Sequence, residues 1–259
     1  MHTLFKIKIM HIYMKFFKNT VKIFSRRIHL KIICVFLKEE ARHFIEIGQY
    51  NPEFIYVSGL PKYDRNTLKP DADRIVIMPT WRPWEYNEAR YDFTQTKYYK
   101  MIKRIFDAIP EHYHEKVTIL PHPLFFDAVK DSEFDLKEYL DVETKYDDIL
   151  KETKVLITDY SSIAYDAFYR GANVMFYWEE KDECLDYYGP STKLMLNEDN
   201  VYGDLCYCKE DMTKQFEDNY LQEQKPCYKE RYQHLVQYHD GKNTERLIQL
   251  LEKDHIITK

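Results

Sequence analysis

The sequence has 259 residues, of which 44% are hydrophobic and 31% charged, a composition typical of a globular protein. Residues 1–38 hold seven Lys, two Arg and no Asp or Glu, which leaves 29 basic against 43 acidic side chains in the rest. Such an acidic body argues against nucleic-acid binding by the main domain. The sequence has no GxGxxG or P-loop lysine motif, and its five cysteines fit no zinc spacing, so we interpret them as reduced thiols.

The basic segment, residues 1–38, mixes Phe, Ile, Met and Leu with Lys and Arg. Its apolar runs are shorter than the roughly 20 residues that a membrane-spanning helix needs, and no small-residue cleavage site marks a signal peptide. We expect an amphipathic segment that binds an anionic membrane surface. The alternatives are a surface helix packed on the body and a remnant of a larger domain.

Residues 39–73 are predicted to be an inter-domain helix, strand and linker. Apolar spacing indicates a helix from Lys38 to Glu46, followed by a strand over residues 54–57 and a loop over residues 58–64. A polar linker over residues 69–73 then marks a domain boundary. The remainder, residues 74–259, is predicted to be one Rossmann-like domain that binds a nucleotide donor and ends in closing helices.

Strands alternate with helices through the first half of this domain, which predicts an α/β fold with a doubly wound parallel sheet. The predicted strands are residues 75–78, 117–120, 155–157 and 174–177. The predicted helices are residues 93–109, 145–152, 163–170, 209–221 and 242–253. After Tyr177 the sequence becomes polar, and no further strand is predicted.

Three of these strands run into polar loops. The loops are Thr80-Trp81-Arg82, Pro121-His122-Pro123 and Asp159-Tyr160-Ser161-Ser162. Because ligands of parallel α/β sheets bind at the carboxyl ends of the strands, we expect the three loops to form one site.

The Asp159–Ser162 turn precedes a helix, so its backbone N–H groups and the Ser161 and Ser162 hydroxyls predict an anion site. Asp159 would repel a phosphate and is interpreted as a helix N-cap or as an acceptor for a ligand hydroxyl. The simpler alternative is that Asp159, Ser161 and Ser162 only cap the helix.

The other two loops add a rigid imidazole and a guanidinium. His122, fixed between prolines, can donate to a phosphate or shuttle a proton, although a lone histidine is often structural. Arg82 has a planar fork suited to a diphosphate, or it is a surface arginine stacked on Trp81 or Trp84. Thr80 caps the loop or contacts ligand. With no carboxylate cluster for a divalent ion, we expect neither metal nor cofactor.

Four motifs, taken together, resemble the CDP-glycerol glycerophosphotransferase family, which builds teichoic acids and related wall or capsule polymers. The similar segments are Val57–Asp64, Met78–Arg82, Pro121–Pro123 and Ile157–Ser162, and the segment Gly189–Gly203 is similar too. The resemblance covers residue 38 to the C-terminus.

The resemblance implies the C-terminal, donor-binding half of a GT-B glycosyltransferase-like fold, in which glycerol phosphate passes from CDP-glycerol to a polymer or lipid-linked acceptor and CMP is released. By motif, His122 is implied to be catalytic. The implied substrate-binding residues are Thr80, Arg82, Pro123, Asp159, Ser161 and Ser162. Gly59 and Lys62 are implied to lie at the domain junction.

Family members also have a His-Gly-Thr-Pro motif in an N-terminal acceptor domain, and this sequence has none. We therefore expect a donor-binding domain with its acceptor domain truncated or replaced, located in the cytoplasm at the inner face of the cell membrane. Two alternatives stay open. One is a glycosyltransferase that uses a CMP- or CDP-activated sugar, and the other is a non-catalytic, membrane-associated fragment that binds nucleotide.

Overall fold

The computed structural model describes residues 33–80, 82–129, 132–189 and 194–257, so most of the predicted basic segment lies outside the described residues. The strands are β1 (Ile33–Val35), β2 (Ile55–Val57), β3 (Arg74–Ile77), β4 (Val117–Ile119), β5 (Thr153–Thr158), β6 (Asn173–Tyr177) and β7 (Asp204–Cys206). The helices are α1 (Lys38–Glu46), α2 (Tyr86–Tyr91), α3 (Lys97–Phe106), α4 (Phe126–Val129), α5 (Tyr146–Glu152), α6 (Ile163–Arg170), α7 (Lys181–Tyr188), α8 (Lys209–Leu221), α9 (Pro226–Leu235) and α10 (Asn243–Lys253). Within the described ranges, no helix has the length and apolar character to cross a membrane.

The described chain divides into two compact units, residues 67–228 and a second unit of residues 33–66 with 229–257. The first unit contains a five-stranded sheet in the order β4-β3-β5-β6-β7, with every neighbouring pair parallel. This confirms the predicted α/β fold with a parallel sheet. Because the strands are parallel, their carboxyl ends share one edge.

The sheet strands are almost wholly apolar because helices cover them, as parallel sheets require. In β3 and β5 the central residues Ile75, Ile77, Val155 and Ile157 have no exposed side-chain surface. The apolar face of α3, which includes Ile102 and Ile105, packs into the same core cluster. The sheet is therefore a rigid base for the loops at its edge.

The long helix predicted over residues 93–109 is wrong in its bounds. Thr96 ends a short 3₁₀ turn, Phe93–Gln95, and its side chain accepts a hydrogen bond from the backbone N–H of Tyr99. This N-cap starts α3 at Lys97, since a capping side chain satisfies an N–H group that has no partner within the helix.

The segment after Tyr177, predicted to be irregular, contains α7 and the edge strand β7. The Asp204 carboxylate of β7 is nearly buried and accepts hydrogen bonds from Asn219 (2.7 Å), Lys225 (2.6 Å) and Tyr228. These donors offset the free-energy cost of burying the Asp204 charge. Because this charge interrupts the apolar pattern of the strand, the pattern did not predict β7.

In the second unit, β1 and β2 form a two-stranded parallel sheet packed on α1, and α10 packs on the 3₁₀ turn Pro61–Arg65. The Asp64 carboxylate accepts the backbone N–H groups of Asn243 (2.7 Å) and Thr244 (2.6 Å) and so caps α10. This packing differs from the predicted division, which placed the C-terminal helix in the 74–259 domain. The sequence pattern of an amphipathic helix indicates that one face packs on the protein, but it does not indicate which element it packs against.

The two residues predicted for the domain junction lie in this second unit. Gly59 has a φ of +72°, and a Cβ atom there would lie 2.0 Å from Asn243 Oδ1. The Lys62 ammonium lies 4.9 Å from the Tyr63 ring centroid. The glycine is thus required by close packing and by backbone conformation, whereas the junction role of both residues stays a prediction.

Candidate active site

The three polar loops predicted to converge do lie at one edge of the sheet, because they follow β3, β4 and β5, which are parallel. β3 lies between β4 and β5, and neighbouring strands are about 4.8 Å apart. The His122 loop and the Asp159–Ser162 turn therefore leave the sheet about 10 Å apart, with the Thr80–Arg82 loop between them.

Arg82 and Asp159 form a buried ion pair at this edge. Both side chains are 1% exposed, and Arg82 Nη1 lies 2.8 Å from Asp159 Oδ2. The same Nη1 donates to the Thr80 carbonyl at 2.7 Å, and the Thr80 backbone N–H donates to Asp159 Oδ1 at 2.8 Å. Arg82 and Asp159 are thus paired with each other, while Arg82 Nε has no hydrogen-bond partner among the described residues. That Arg82 contacts a diphosphate and that Asp159 contacts the ligand stay predictions.

A second carboxylate reaches the guanidinium from the loop after β6. Glu180 Oε2 lies 3.5 Å from Arg82 Nη2, and its Oε1 accepts a hydrogen bond from Arg104 at 3.2 Å. Burial alone would lower the pKa of Arg82, but the charges of Asp159 and Glu180 raise it well above its usual value. Burial raises the pKa of Glu180 despite the two arginines. The two arginines and the two carboxylates, Asp159 and Glu180, balance in charge, so together they add little positive potential to this edge of the sheet.

The helix that follows Asp159 starts as predicted, with Ser162 at its N-cap position and Gly171, at a φ of +114°, at its C-cap. The Ser162 hydroxyl makes no capping hydrogen bond, and Ser161 Oγ accepts only a long one, 3.4 Å, from Ile163 N–H. Both serines are half-exposed. Capping therefore does not account for these hydroxyls, and they remain accessible beside the N-terminus of α6.

The His122 loop is held by its backbone. The His122 carbonyl accepts the Phe125 N–H at 2.7 Å, its N–H donates to the Tyr98 phenol oxygen, and the Tyr146 phenol donates to the Pro121 carbonyl at 3.3 Å. The imidazole is half-buried and Pro123 is exposed. The loop thus combines a fixed backbone with a side chain that solvent reaches.

Thr80 is buried, and its Oγ1 has no hydrogen-bond partner among the described residues. Within those same residues no group of three His, Cys, Asp or Glu side chains is arranged to hold a metal ion. Capping of the loop by the Thr80 hydroxyl is therefore not observed.

Sequence reasoning missed Glu180, Tyr98 and Tyr146. Glu180 could have been found, because it lies three residues after the predicted strand 174–177 and so falls at the same sheet edge. The tyrosines could not, since each lies on a helix and reaches the loops only through tertiary packing.

The model of the CDP-Glycerol:Poly(glycerophosphate) glycerophosphotransferase family matches residues 49–253. Among characterised proteins, the Minor teichoic acid biosynthesis protein GgaB of Bacillus subtilis (strain 168) is 29% identical over 180 residues, which are 62% of this chain and 20% of GgaB. The chain therefore spans about a fifth of the length of that relative.

Solved structures of the Wall Teichoic Acid Polymerase TagF have the same fold. One TagF structure has a TM-score of 0.60 at 18% identity and covers 93% of this chain and 60% of TagF. A TagF variant soaked with CDPG for 30 minutes has a TM-score of 0.56 at the same identity and coverage. At this identity the similarity establishes the fold alone, an α/β fold with a parallel sheet flanked by helices. With a family model that matches four-fifths of its length, the chain belongs to the CDP-Glycerol:Poly(glycerophosphate) glycerophosphotransferase family.

Proposed function

We propose that this chain binds CDP-glycerol and takes part in the transfer of glycerol phosphate to a polymer or lipid-linked acceptor, with release of CMP. One observation supports this most: the half-exposed Ser161 and Ser162 hydroxyls at the N-terminus of α6 and the half-buried His122 share one sheet edge. Helix N-termini with hydroxyl donors suit phosphate groups. Membership of the family supplies the identity of the nucleotide.

In the proposed reaction, an acceptor hydroxyl oxygen attacks the β-phosphorus of CDP-glycerol. The bond from that phosphorus to the bridging oxygen breaks, and CMP leaves with the bridging oxygen. The hydroxyl proton passes to a general base outside the residues named here, and His122 protonates the leaving phosphate. The α6 N-terminus and the Ser161 and Ser162 hydroxyls stabilise the diphosphate charge, while Pro123 and Thr80 line the donor site.

Arg82 and Asp159 enter the proposal as positioning residues. Their ion pair joins the loop after β3 to the turn after β5, and so fixes the serines relative to Thr80. This assignment follows from burial, because a guanidinium that is 1% exposed has to break a matched pair before it binds a phosphate.

The first test is calorimetric titration of the chain with CDP-glycerol, with CDP, CMP and CMP-sialic acid as comparison ligands. We expect CDP-glycerol to bind best, Ser161→Ala to weaken binding and Ser132→Ala, a serine outside the site, to leave it unchanged. Better binding of CMP-sialic acid would favour the glycosyltransferase alternative. No binding to the folded chain would refute the proposal.

Turnover is tested separately, by CMP release in the presence of a lipid-linked glycerophosphate acceptor. Release that His122→Gln abolishes while CDP-glycerol still binds supports catalysis by His122. Binding without release in the wild-type chain would favour the non-catalytic alternative.

We further propose that the chain acts at the inner face of the cell membrane, where the basic segment, residues 1–38, binds anionic lipid. Nine basic and no acidic side chains support this. The full chain should sediment with vesicles of anionic lipid at low salt and dissociate at high salt. Equal sedimentation with neutral vesicles would contradict the proposal.

A further inference from the structure

One buried phenol joins two of the loops at the candidate site. Tyr98, on α3, is fully buried, and its hydroxyl donates to the carbonyl of Pro79 at 3.3 Å. The same oxygen accepts the backbone N–H of His122. Pro79 lies in the loop after β3 and His122 in the loop after β4, so a single oxygen atom connects the two loops.

The rest of Tyr98 is fixed as firmly as its hydroxyl. Its ring stacks on Phe125 with the centroids 4.9 Å apart and the planes 17° apart, and the Phe125 N–H in turn donates to the His122 carbonyl at 2.7 Å. The Tyr98 backbone N–H donates to Glu85 Oε2 at 2.9 Å, and Glu85 follows the β3 loop. Tyr98 therefore contacts the His122 loop on two sides and the β3 loop through its hydroxyl, and its backbone contacts the 3₁₀ turn Pro83–Glu85 that follows the β3 loop.

Burial keeps this bridge in a single chemical form. It raises the pKa of the Tyr98 phenol above its usual range, so the O–H stays protonated and remains a donor at neutral pH. A buried hydroxyl with one donor bond and one acceptor bond has its hydrogen-bonding capacity matched in the native structure.

We propose that Tyr98 is a positioning residue that sets the position and orientation of the His122 imidazole relative to the loop after β3. The proposal rests on the proposed function, because it assigns Tyr98 a task only if His122 contacts the donor. The consequence is that a hydroxyl with no contact to ligand controls donor binding through the backbone of the loop.

The test compares Tyr98→Phe with Tyr99→Phe in the full chain. Both tyrosines lie on α3 and both are buried, and Tyr99→Phe removes a less deeply buried hydroxyl that donates to Asp135 instead. Phenylalanine retains the ring, which is stacked on Phe125 at position 98 and contacts Phe93 and Phe134 edge-on at position 99, so both variants should fold. Loss of fold is monitored by circular dichroism.

Three readouts separate positioning from general destabilisation. In Tyr98→Phe the His122 amide should exchange with solvent at least about tenfold faster, and the dissociation constant for CDP-glycerol should rise about 3- to 10-fold, the range of one net hydrogen bond. The NMR signal of the His122 imidazole, assigned with His122→Gln, should shift less on addition of CDP-glycerol. Tyr99→Phe should match the wild type in all three.

The outcomes distinguish the two proposals. If wild type and Tyr98→Phe bind CDP-glycerol equally and give the same imidazole shift, Tyr98 does not position His122 and the proposed function stands. If the wild-type chain binds no CDP-glycerol, the proposed function fails. The exchange rate of the His122 amide then shows whether the phenol still holds the loop, and an unchanged rate overturns the bridge itself.

Discussion

Replacing Arg82 by methionine tests the central interpretation of the site, that this arginine is a buried structural charge and not a ligand for phosphate. Methionine approximates the length of the side chain and removes its charge. It leaves the Asp159 carboxylate, 1% exposed, without its partner at 2.8 Å, and leaves the Thr80 carbonyl without its donor at 2.7 Å.

The magnitude follows from that geometry. Removing one partner of a buried ion pair costs about 3–5 kcal/mol, because the other charge stays buried and uncompensated. Domains of this size have unfolding free energies of about 5–15 kcal/mol, so Arg82→Met should fold with much lower stability. As a matched control, Lys137→Met removes a solvent-exposed pair with Glu133 and should change stability by about 0–1 kcal/mol.

Urea unfolding followed by tryptophan fluorescence is the assay, since all three tryptophans of the sequence fall within residues 67–228, the range of the unit that contains the sheet. Asp159→Asn and the double variant complete a double-mutant cycle, in which the double variant should lose less than the sum of the single losses. A loss below about 1 kcal/mol for Arg82→Met, together with lost donor binding, would refute the reasoning and restore the role of phosphate ligand.

Three further predictions concern other contacts. The pKa of Glu180 is raised in the folded state, so the wild-type protein loses stability as pH rises above about 4.3, where the carboxyl group of the unfolded chain ionises first. Glu180→Gln lacks this ionisation, and its stability relative to wild type should therefore increase from pH 4 to neutral pH in urea titrations. A constant difference would contradict this. Gly59→Ala places a Cβ against Asn243 at a φ of +72° and should lower the thermal midpoint, whereas Gly241→Ala, at a φ of +67° with open space around it, separates strain from the clash. Burial alone would raise the pKa of Asp64, but hydrogen bonds from Thr244 and Asn243 lower it. Asp64→Ala should therefore destabilise the chain by about 0.5–2 kcal/mol above pH 4. This difference should vanish in acid, where the wild-type carboxylate loses its charge.

The sequence was most informative where local pattern decides structure. Apolar spacing located α1 and α8 at their observed bounds, and runs of β-branched residues located the central strands. The rule that parallel strands end at one edge brought His122 and the Asp159–Ser162 turn together correctly. These successes share a cause, since each depends on residues close together in the chain or on strand direction alone.

The failures concern contacts between residues distant in sequence. A charged residue such as Arg82 is normally exposed. Its burial depends on pairing with Asp159, which lies 77 residues later in the sequence, so no local pattern could predict it. β7 was not predicted, because the buried charge of Asp204 is stabilised by side chains of α8, of α9 and of the segment between them, all distant in sequence from the sheet pattern. Tyr98 has the spacing of a core residue, and its bonds to two loops depend on where α3 packs.

The Arg82–Asp159 pair also constrains how this family can diverge. A lineage that loses either residue first passes through a protein with one unmatched charge in its interior, a state about 3–5 kcal/mol less stable. Neither position can therefore drift independently, and relatives should carry both residues or an uncharged pair in both places. Joint substitution of these two positions, 77 residues apart, would be the evolutionary signature of this contact.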